Sequence, residues 1–298
     1  MERIRGAIAV FIGAASFGIL STIVKKAYAA GFTLGEVTGV QVLMGMLFLW
    51  ILFGLQKIKG ISKDHYPSLT AKWKVILAGV STGAVSVLYY KCVQLMPASI
   101  AIILLMQFIW ISAIINYVVY KQKPSTKLLL GIVGILGATI LAAGLADIGI
   151  EEFNIMGLVY GILSATAYAI FITVNSKVGN DYPPLHKSAL MLTGSFIFIF
   201  ILFQPVTLFT NTIDLSIYKY GALLSLFGTV IPPLLFAYGM PKTGISLGSI
   251  LSAVELPVAV AMSYFILYEP VTYLQWIGVI GILVVVIWIN TQKRRLDI

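Results

Sequence analysis

The sequence ISLGSILSAVELPVAVAMSYFIL, residues 245–267, is a run of 23 residues with a single charged side chain, Glu255. A helix crosses the hydrocarbon core of a bilayer with about 20 largely apolar residues, so this run is long enough to span a membrane. Glu255 lies near its middle, and Pro257 follows two residues later. The stretch predicts a membrane-spanning helix that carries a buried carboxyl group beside a helix-breaking residue.

Nine further stretches have the same apolar character. The ten predicted spans are residues 4–24, 34–55, 75–93, 98–120, 128–146, 155–175, 188–209, 218–238, 245–267 and 273–291. Hydrophobic residues make up 59% of the 298 residues, which leaves too few polar side chains to cover a soluble globule of this size. We therefore predict an all-α integral membrane protein with ten transmembrane helices, with the lipid bilayer as its main solvent.

The basic residues indicate the orientation of the chain. The formal net charge is +9, but the charges lie in short gaps between spans and form no basic face, so we expect no nucleic-acid partner. With the N-terminus in the cytoplasm, 16 of the 20 Lys and Arg residues fall inside, and only Lys25, Lys26, Lys91 and Lys219 fall outside. This positive-inside bias predicts a multi-pass protein of the cell (plasma) membrane with both termini cytoplasmic.

Motifs for metal, nucleotide and redox chemistry are missing from the sequence. There is one cysteine, Cys92, no H-E-x-x-H and no G-x-x-x-x-G-K-[ST]. His65 and His186 fall in predicted cytoplasmic loops, where we expect solvated side chains. We therefore expect no metal, no cofactor and no enzymatic activity. A membrane-embedded enzyme is the less favoured alternative, because Asp147, Asp181 and Asp214 are scattered singly.

The two halves of the chain resemble each other. Residues 131–136, GIVGIL, match residues 278–283, GVIGIL, at an offset of 147, and Lys26 matches Lys177 at an offset of 151. The small change in offset indicates that the loops differ slightly while the helices correspond.

Equivalent positions are five spans apart, so the two halves must point in opposite directions across the membrane. We predict two inverted five-helix repeats, residues 1–150 and 151–298. Inverted repeats are typical of transporters that work by alternating access, and they disfavour a simple channel.

The most specific sequence pattern lies in residues 246–287. A small-residue helix start is followed by ELP at 255–257, YEP at 268–270 and GVIG at 278–281. This order resembles the EamA-type ten-helix members of the drug/metabolite transporter superfamily, and the resemblance covers essentially the whole chain.

The first half departs from that pattern. Gln107, Phe108 and Trp110 stand around the place of the Glu and Pro, and YKQKP at 120–124 replaces the acidic turn. The resemblance implies a secondary carrier of small organic solutes, often an exporter of amino acids or metabolites, with a central cavity lined mainly by helices one, three, four, six, eight and nine. Family membership does not fix the substrate.

Glu255 is the first candidate for a functional residue, because it is the only charged residue deep inside any predicted span. A charge at that depth costs about 2.5–3.5 kcal/mol on insertion scales, so the side chain should face protein or water. We predict substrate contact or proton coupling; hydrogen-bonded packing of a neutral Glu is the alternative.

Aromatic and polar residues near mid-depth complete the predicted site. The predicted substrate-binding residues are Glu255, Gln107, Trp110, Tyr168, Tyr89, Phe236, Phe17 and Asn175. Such a set suits a small amphipathic solute, with export of amino acids or related solutes as the leading hypothesis. A carboxylate among aromatic rings also suits organic cations such as quaternary amines, which are the main alternative.

Three prolines and three charged residues carry further predictions. Pro232, Pro233 and Pro257 remove backbone donors and should break their helices beside a cavity. Lys91, Glu36 and Glu269 lie near the outer ends of their spans and are candidates for an outer gate, although snorkelling to the interface is the favoured explanation for Lys91. We expect a monomer or a weak homodimer.

Overall fold

The computed structural model describes residues 2–59, 69–96, 98–142, 154–210, 214–268 and 271–291. Every regular element in these ranges is helical, as predicted. The first half contains α1 (Glu2–Phe17), α2 (Leu20–Ala29), α3 (Leu34–Ile58), α4 (Lys72–Leu95), α5 (Ala98–Met106), α6 (Phe108–Tyr120) and α7 (Thr126–Ala142). The second half contains α8 (Ile155–Lys177), α9 (Pro184–Phe203), α10 (Ser216–Leu224), α11 (Ile231–Thr243), α12 (Ile245–Ser252), α13 (Glu255–Met262) and α14 (Tyr273–Thr291).

Seven helical segments of the described chain are long and apolar enough to cross a membrane. They are Glu2–Ala29, Leu34–Ile58, Lys72–Leu95, Ile155–Lys177, Pro184–Phe203, Ser216–Thr243 and Ile245–Leu267. Shorter apolar helices, Leu104–Tyr120, Thr126–Leu141 and Tyr273–Trp288, occupy the other three predicted spans. The chain is thus a multi-pass membrane protein by length and composition, and the count of ten spans stays a prediction.

Several spans are broken near their middle. α5 ends at Met106 and α6 begins at Phe108, while α12 ends at Ser252 and α13 begins at Glu255. The break at Gln107 and the break at 253–254 are related by the offset of 147 that aligns the two halves in sequence. α1 and α2 are also separated at 18–19, whereas the corresponding part of α8 is continuous.

Helices of the two halves interlock. α1 packs on α11 while α8 packs on α4, and α1 contacts α12 while α8 contacts α6. α4 packs on α9, and α3 packs on α10 and on the π-helical turn Ser225–Val230. These contacts form equivalent pairs. When each of the first five predicted spans is replaced by its counterpart among the last five, one contact of a pair is converted into the other.

Glycines allow the closest of these approaches. A Cβ on Gly79 of α4 would overlap the backbone carbonyl of Met191, and a Cβ on Gly194 of α9 would overlap that of Ile76. The two helix backbones are therefore in direct contact, in the way that small residues permit between membrane helices.

The seventh span differs from its prediction at both ends. It was predicted over 188–209, but α9 begins at Pro184 and ends at Phe203. The predicted span began at Ser188 and Lys187 was predicted to lie on the cytoplasmic side, yet the structure places Lys187 in α9 and buries it. His186 is likewise buried, 4.3 Å from the ring of Phe53 between centroids, so its prediction as a solvated loop residue was wrong.

Candidate functional site

An internal cavity lies between the broken helices, with Glu255 on its wall. Its lining residues are Phe17, Leu20, Thr82, Val85, Ser86, Tyr89, Tyr90, Leu105, Tyr168, Phe171, Gly228 and Glu255. The volume of the cavity is about 30 Å³. That is enough for about two waters, so the cavity must widen to hold an organic solute.

Glu255 is placed in the cavity by the helix break that precedes it. It is the first residue of α13 and only 4% of its surface is exposed. The break also brings α1 close, because a Cβ on Gly18 would lie 2.5 Å from the carbonyl oxygen of Glu255. An ionised carboxylate at such a site is stable only when a cation or several hydrogen bonds compensate it; otherwise it must hold a proton.

Three polar atoms at the cavity lack hydrogen-bond partners. They are Oε2 of Glu255 and the hydroxyl groups of Tyr89 and Tyr168, all of them buried. Both tyrosines lie close enough to Glu255 to interact with it electrostatically, although the contact between Tyr168 and Glu255 falls short of hydrogen-bond geometry. Because buried polar groups are normally satisfied, this set points to a ligand, a proton or water as the missing partner.

Aromatic rings pack against one side of the cavity. The ring of Phe17 contacts those of Tyr168, Phe171 and Phe236 edge to face, with centroids 5.8, 6.1 and 5.7 Å apart. Phe236 lies behind the cavity wall and is fully buried. The rings come from α1, α8 and α11, so movement of any of these helices would reshape the wall.

The structure brings together only part of the predicted substrate-binding set. Phe17, Tyr89, Tyr168 and Glu255 line the cavity, and Phe236 adjoins it.

The other predicted substrate-binding residues lie elsewhere. The indole of Trp110 is 37% exposed and donates to Oε1 of Gln107 over 2.8 Å. Asn175 is buried near the end of α8, where its side chain donates to the carbonyl of Phe171 over 2.9 Å. Neither Gln107, Trp110 nor Asn175 lines the cavity.

The prolines coincide with irregular backbone. Pro232 and Pro233 are the second and third residues of α11, directly after the π-helical turn, and the N–H of Ile231 donates to the carbonyl of Leu226. Ser16 of α1 donates to the carbonyl of Phe227 over 2.8 Å, which satisfies a group in this irregular turn.

Pro257 lies in the first turn of α13. It has no N–H to donate to the carbonyl of Ala253, and the N–H of Leu256 donates to that carbonyl instead, over 3.3 Å. The break therefore tightens into a short-range turn and leaves no exposed carbonyl at this position.

The gate candidates do not pair with one another in the described part of the chain. Lys91 donates to Oε1 of Gln94 over 2.9 Å on its own helix. Glu36 accepts from the backbone N–H and the hydroxyl of Thr33 and caps the start of α3. Glu269 lies outside the described residues.

Several cavity residues escaped prediction. Thr82, Leu20 and Gly228 carry no distinctive signal, and their places depend on how the helices pack. Gln41 supports the wall from behind, because Tyr90 donates to its Oε1 over 2.9 Å. A buried amide in the apolar second span was a signal that could have identified Gln41.

Comparison with known proteins identifies the family. The model of the EamA-like transporter family matches residues 4–144 and again residues 155–291. One crystal structure of a protein superimposes with a TM-score of 0.75 over 98% of both chains at 13% sequence identity, which shows a shared fold. No curated protein has a matching sequence. The two family matches together span nearly the whole chain, which therefore belongs to the EamA-like transporter family.

Proposed function

We propose that this transporter is a secondary carrier that exports small amine-bearing metabolites, with amino acids and related solutes as the leading class, in exchange for protons. The observation that carries the proposal is the buried Oε2 of Glu255, which has no hydrogen-bond partner, in a cavity lined by aromatic rings. The chain belongs to a transporter family, and the proposal adds the substrate, the direction, the coupling ion and the alternating-access mechanism.

The amino group follows from charge. Glu255 is the one charged side chain among the described residues that line the cavity, so a bound ammonium group would meet an opposite charge there. The rings of Phe17 and Tyr168 add attraction for a cation through their faces. The hydroxyl groups of Tyr89 and Tyr168 remain as donors for a second polar group of the solute, such as a carboxylate.

Proton exchange follows from competition at one carboxyl group. Glu255 can hold a proton or pair with an ammonium group, but its negative charge cannot serve both at once. A carrier that changes the side from which its site is accessible, with either a proton or an amine bound, exchanges protons for amines across the membrane. The matched helix breaks at Gln107 and at 253–254, and the reciprocal helix contacts between the halves, support alternating access by two inverted repeats.

The test compares three forms of one amino acid in binding to the purified protein. The methyl ester keeps the ammonium group, the N-acetyl form keeps the carboxylate, and the parent solute keeps both. We expect the ester and the parent to stabilise the protein against thermal unfolding and the N-acetyl form to have no effect. The same screen should include quaternary amines, whose binding without that of amino acids would favour the organic-cation alternative.

Transport is then measured in proteoliposomes with a pH gradient. Glu255→Gln should lose gradient-driven accumulation, because an amide does not titrate, and it should lose most of its affinity for the ester. Asp214→Asn is the matched control, since Asp214 is exposed and its carboxylate accepts from the N–H of Ser216 at the start of α10, a bond that the amide oxygen of Asn can also accept. Accumulation and affinity of the wild-type level in Glu255→Gln would disprove both roles of this residue.

A further inference from the structure

The first turns of span nine carry a winding polar stripe. Ser246, Ser249, Ser252 and Glu255 are spaced by three residues from the start of α12 to the cavity. Side chains three residues apart on an α-helix are neighbours, so each hydroxyl adjoins the next. Since each such step turns by about 60°, the stripe winds around α12 from the side of α6 towards the side of α8.

The helix break aligns the last step of the stripe. The N–H groups of Ala253, Val254 and Leu256 donate to the carbonyls of Ile250, Leu251 and Ala253. These bonds span three residues, which is the 3₁₀ pattern, and side chains three apart eclipse in that geometry. Ser252 and Glu255 both lie beside the Tyr168 hydroxyl, and the Ser252 hydroxyl itself donates to the carbonyl of Gly248 over 2.9 Å.

Polar residues of α6 face the part of the stripe that lies near the start of α12. The hydroxyl oxygens of Ser112 and Ser249 are 2.5 Å apart and either can be the donor. Each can instead donate to a carbonyl of its own helix, Ile109 or Ile245, over 2.9 Å. The hydrogen-bonded pair can thus reverse its direction without moving a heavy atom.

The stripe has an unpartnered buried group at each end. Asn116 of α6 is 5% exposed and donates to Oγ of Ser246 over 3.1 Å, but its own Oδ1 has no partner. Oε2 of Glu255 is the unpartnered atom at the inner end. Ser246 itself is only half-buried and lies close to the start of α12, on the side where Lys121 and Lys242 are predicted to face the cytoplasm.

We propose that Ser246, Ser249 and Ser252, with Ser112, form a proton path between the cytoplasm and Glu255, separate from the route of the solute. In each step a hydroxyl oxygen accepts one proton and releases its own to the next group, so no electron moves and no group is left altered. Protonated Glu255 gives its proton to Ser252, and cytoplasmic water receives the last one. The steps within the serine stripe each need one bridging water. Asn116 is a positioning residue that orients Ser246.

The burial of the stripe limits the path to protons. Ser112, Ser249 and Ser252 are at most 1% exposed, and none of them lines the cavity. An organic solute has no space between α6 and α12, where the hydroxyl oxygens of Ser112 and Ser249 are in contact, whereas a proton needs only the hydroxyl oxygens and the single waters that bridge them. Separate routes let the proton leave Glu255 on one side while the cavity stays closed to the solute on that side.

Helix packing alone would also explain small residues here, but it makes a different prediction. Small side chains let membrane helices approach, and alanine meets that need as well as serine does. Alanine in place of Ser112 and Ser249 keeps the packing and removes both hydroxyl groups. The double variant therefore separates a packing role from a proton path.

The experiment measures proton exchange at Glu255 directly and needs no substrate. The infrared absorption of the protonated carboxyl group is assigned by its loss in Glu255→Gln, and its shift is followed over time after transfer of the lipid-reconstituted protein into D₂O. We expect Ser112→Ala/Ser249→Ala to slow the shift at least about tenfold, because proton relay by a positioned group is commonly worth more than that.

Ser164→Ala is the matched control. Ser164 is fully buried and donates only to the carbonyl of Gly161 on its own helix, so its loss should leave the exchange rate unchanged. If the double variant does not fold, Ser252→Ala interrupts the same path next to Glu255.

The outcomes are distinct from those of the proposed function, on which the inference rests for the role of Glu255 as a proton carrier. Equal exchange rates in wild type and the double variant would show that protons reach Glu255 through the cavity and would overturn the path. A wild-type spectrum without an absorption that Glu255→Gln removes would also overturn it. Slower exchange together with an absence of amine transport would support the path and reject the proposed substrate.

Discussion

Lys187 is a fully buried lysine that neither the proposed cavity nor the proton path uses. Its Nζ donates to the carbonyl of Asn175 over 2.8 Å and to Oδ1 of Asn180 over 2.9 Å. The carbonyl of Asn175 belongs to the last turn of α8, where the helix dipole favours a positive charge. The lysine therefore fastens the start of α9 to the end of α8.

We expect Lys187→Met to lower the thermal stability of the purified protein strongly, because hydrogen bonds to a charged group contribute about 1.5–3 kcal/mol each. Lys91→Met is the matched control. Lys91 is half-buried and donates to Gln94 on its own helix, so its replacement should change stability little and transport less than about threefold. An unchanged melting temperature in Lys187→Met would contradict the fastening role, and loss of transport in folded Lys91→Met would revive its role as a gate.

The site could be predicted from sequence where a residue type is rare in its surroundings. Glu255 could be identified because a single charge within a 23-residue apolar run must have a reason to be there. Asn175 and Trp110 were grouped with it by depth alone, and depth does not say which face of a helix a residue occupies. The burial of Lys187 was not predicted, because sequence shows the cost of a buried charge but not the two oxygens that compensate it.

The helices α4 and α9 approach each other closely across the two halves. Gly79 and Gly194 lie opposite backbone carbonyls of the facing helix, with no space for a methyl group. Backbone cannot yield as a flexible side chain can, so the two helices would have to separate.

We expect Gly79→Ala and Gly194→Ala each to reduce the yield of folded protein and its melting temperature, with a cost of about 1–3 kcal/mol or more from overpacking. Gly54→Ala in α3 is the control, because no atom lies within 4 Å of the added Cβ. There the change should be neutral or stabilising by up to about 1 kcal/mol, since alanine is the better helix former. Comparable melting temperatures for all three variants, measured in the same detergent, would show that α4 and α9 are not in such close contact in solution.

The apolar runs predicted where the helices lie, but breaks within helices could be predicted only where a proline marks them. Pro257 and the pair Pro232–Pro233 predicted irregular backbone, and the structure has irregular backbone beside them. The break at Gln107 has no proline near it in sequence. It could have been inferred only from its counterpart at 253–254, through the repeat.

At the scale of the whole molecule, two polar contacts join the halves on the side that the charges place in the cytoplasm. Asp181 accepts from the N–H of Thr70 over 2.8 Å and from its hydroxyl over 2.7 Å, and Tyr182 donates to the carbonyl of Thr70 over 2.7 Å. Glu2 of α1 pairs with Lys242 of α11. A carrier that opens to the cytoplasm by moving one half against the other must loosen such contacts.

The pH dependence of the Asp181 contact has a definite sign. Partial desolvation acts to raise the pKa of Asp181, but the hydrogen bonds from Thr70 outweigh it and hold the pKa below its ordinary value. The contact is therefore intact above the usual carboxyl pKa of about 3.9 and is lost only as the pH falls below that. Any change of transport between about pH 5 and pH 8 should therefore not come from Asp181.

We expect Asp181→Asn to favour opening on the cytoplasmic side, because the amide keeps only one acceptor oxygen for the two donors of Thr70. The readout is alkylation of Ser86→Cys in the cavity wall, in a Cys92→Ala background, by an impermeant maleimide added to inside-out vesicles. Loss of one hydrogen bond worth about 0.5–1.5 kcal/mol should raise the rate about two- to tenfold. Lys91→Met, on the opposite side of the membrane, is the control. An unchanged alkylation rate in Asp181→Asn would mean that the Asp181 contact does not restrain the closed state.

The orientation of the molecule is the basis of both the export direction and the cytoplasmic end of the proton path. Ala30 is exposed in the turn between α2 and α3, and Ser125 is exposed just before α7. The charge bias places Ala30 outside and Ser125 inside. In the Cys92→Ala background, Ala30→Cys should react with an impermeant maleimide on intact cells, and Ser125→Cys only after the cells are opened. The reverse pattern would place Ser246 at the outer surface, and protons that reach Glu255 through the serines would then come from outside the cell.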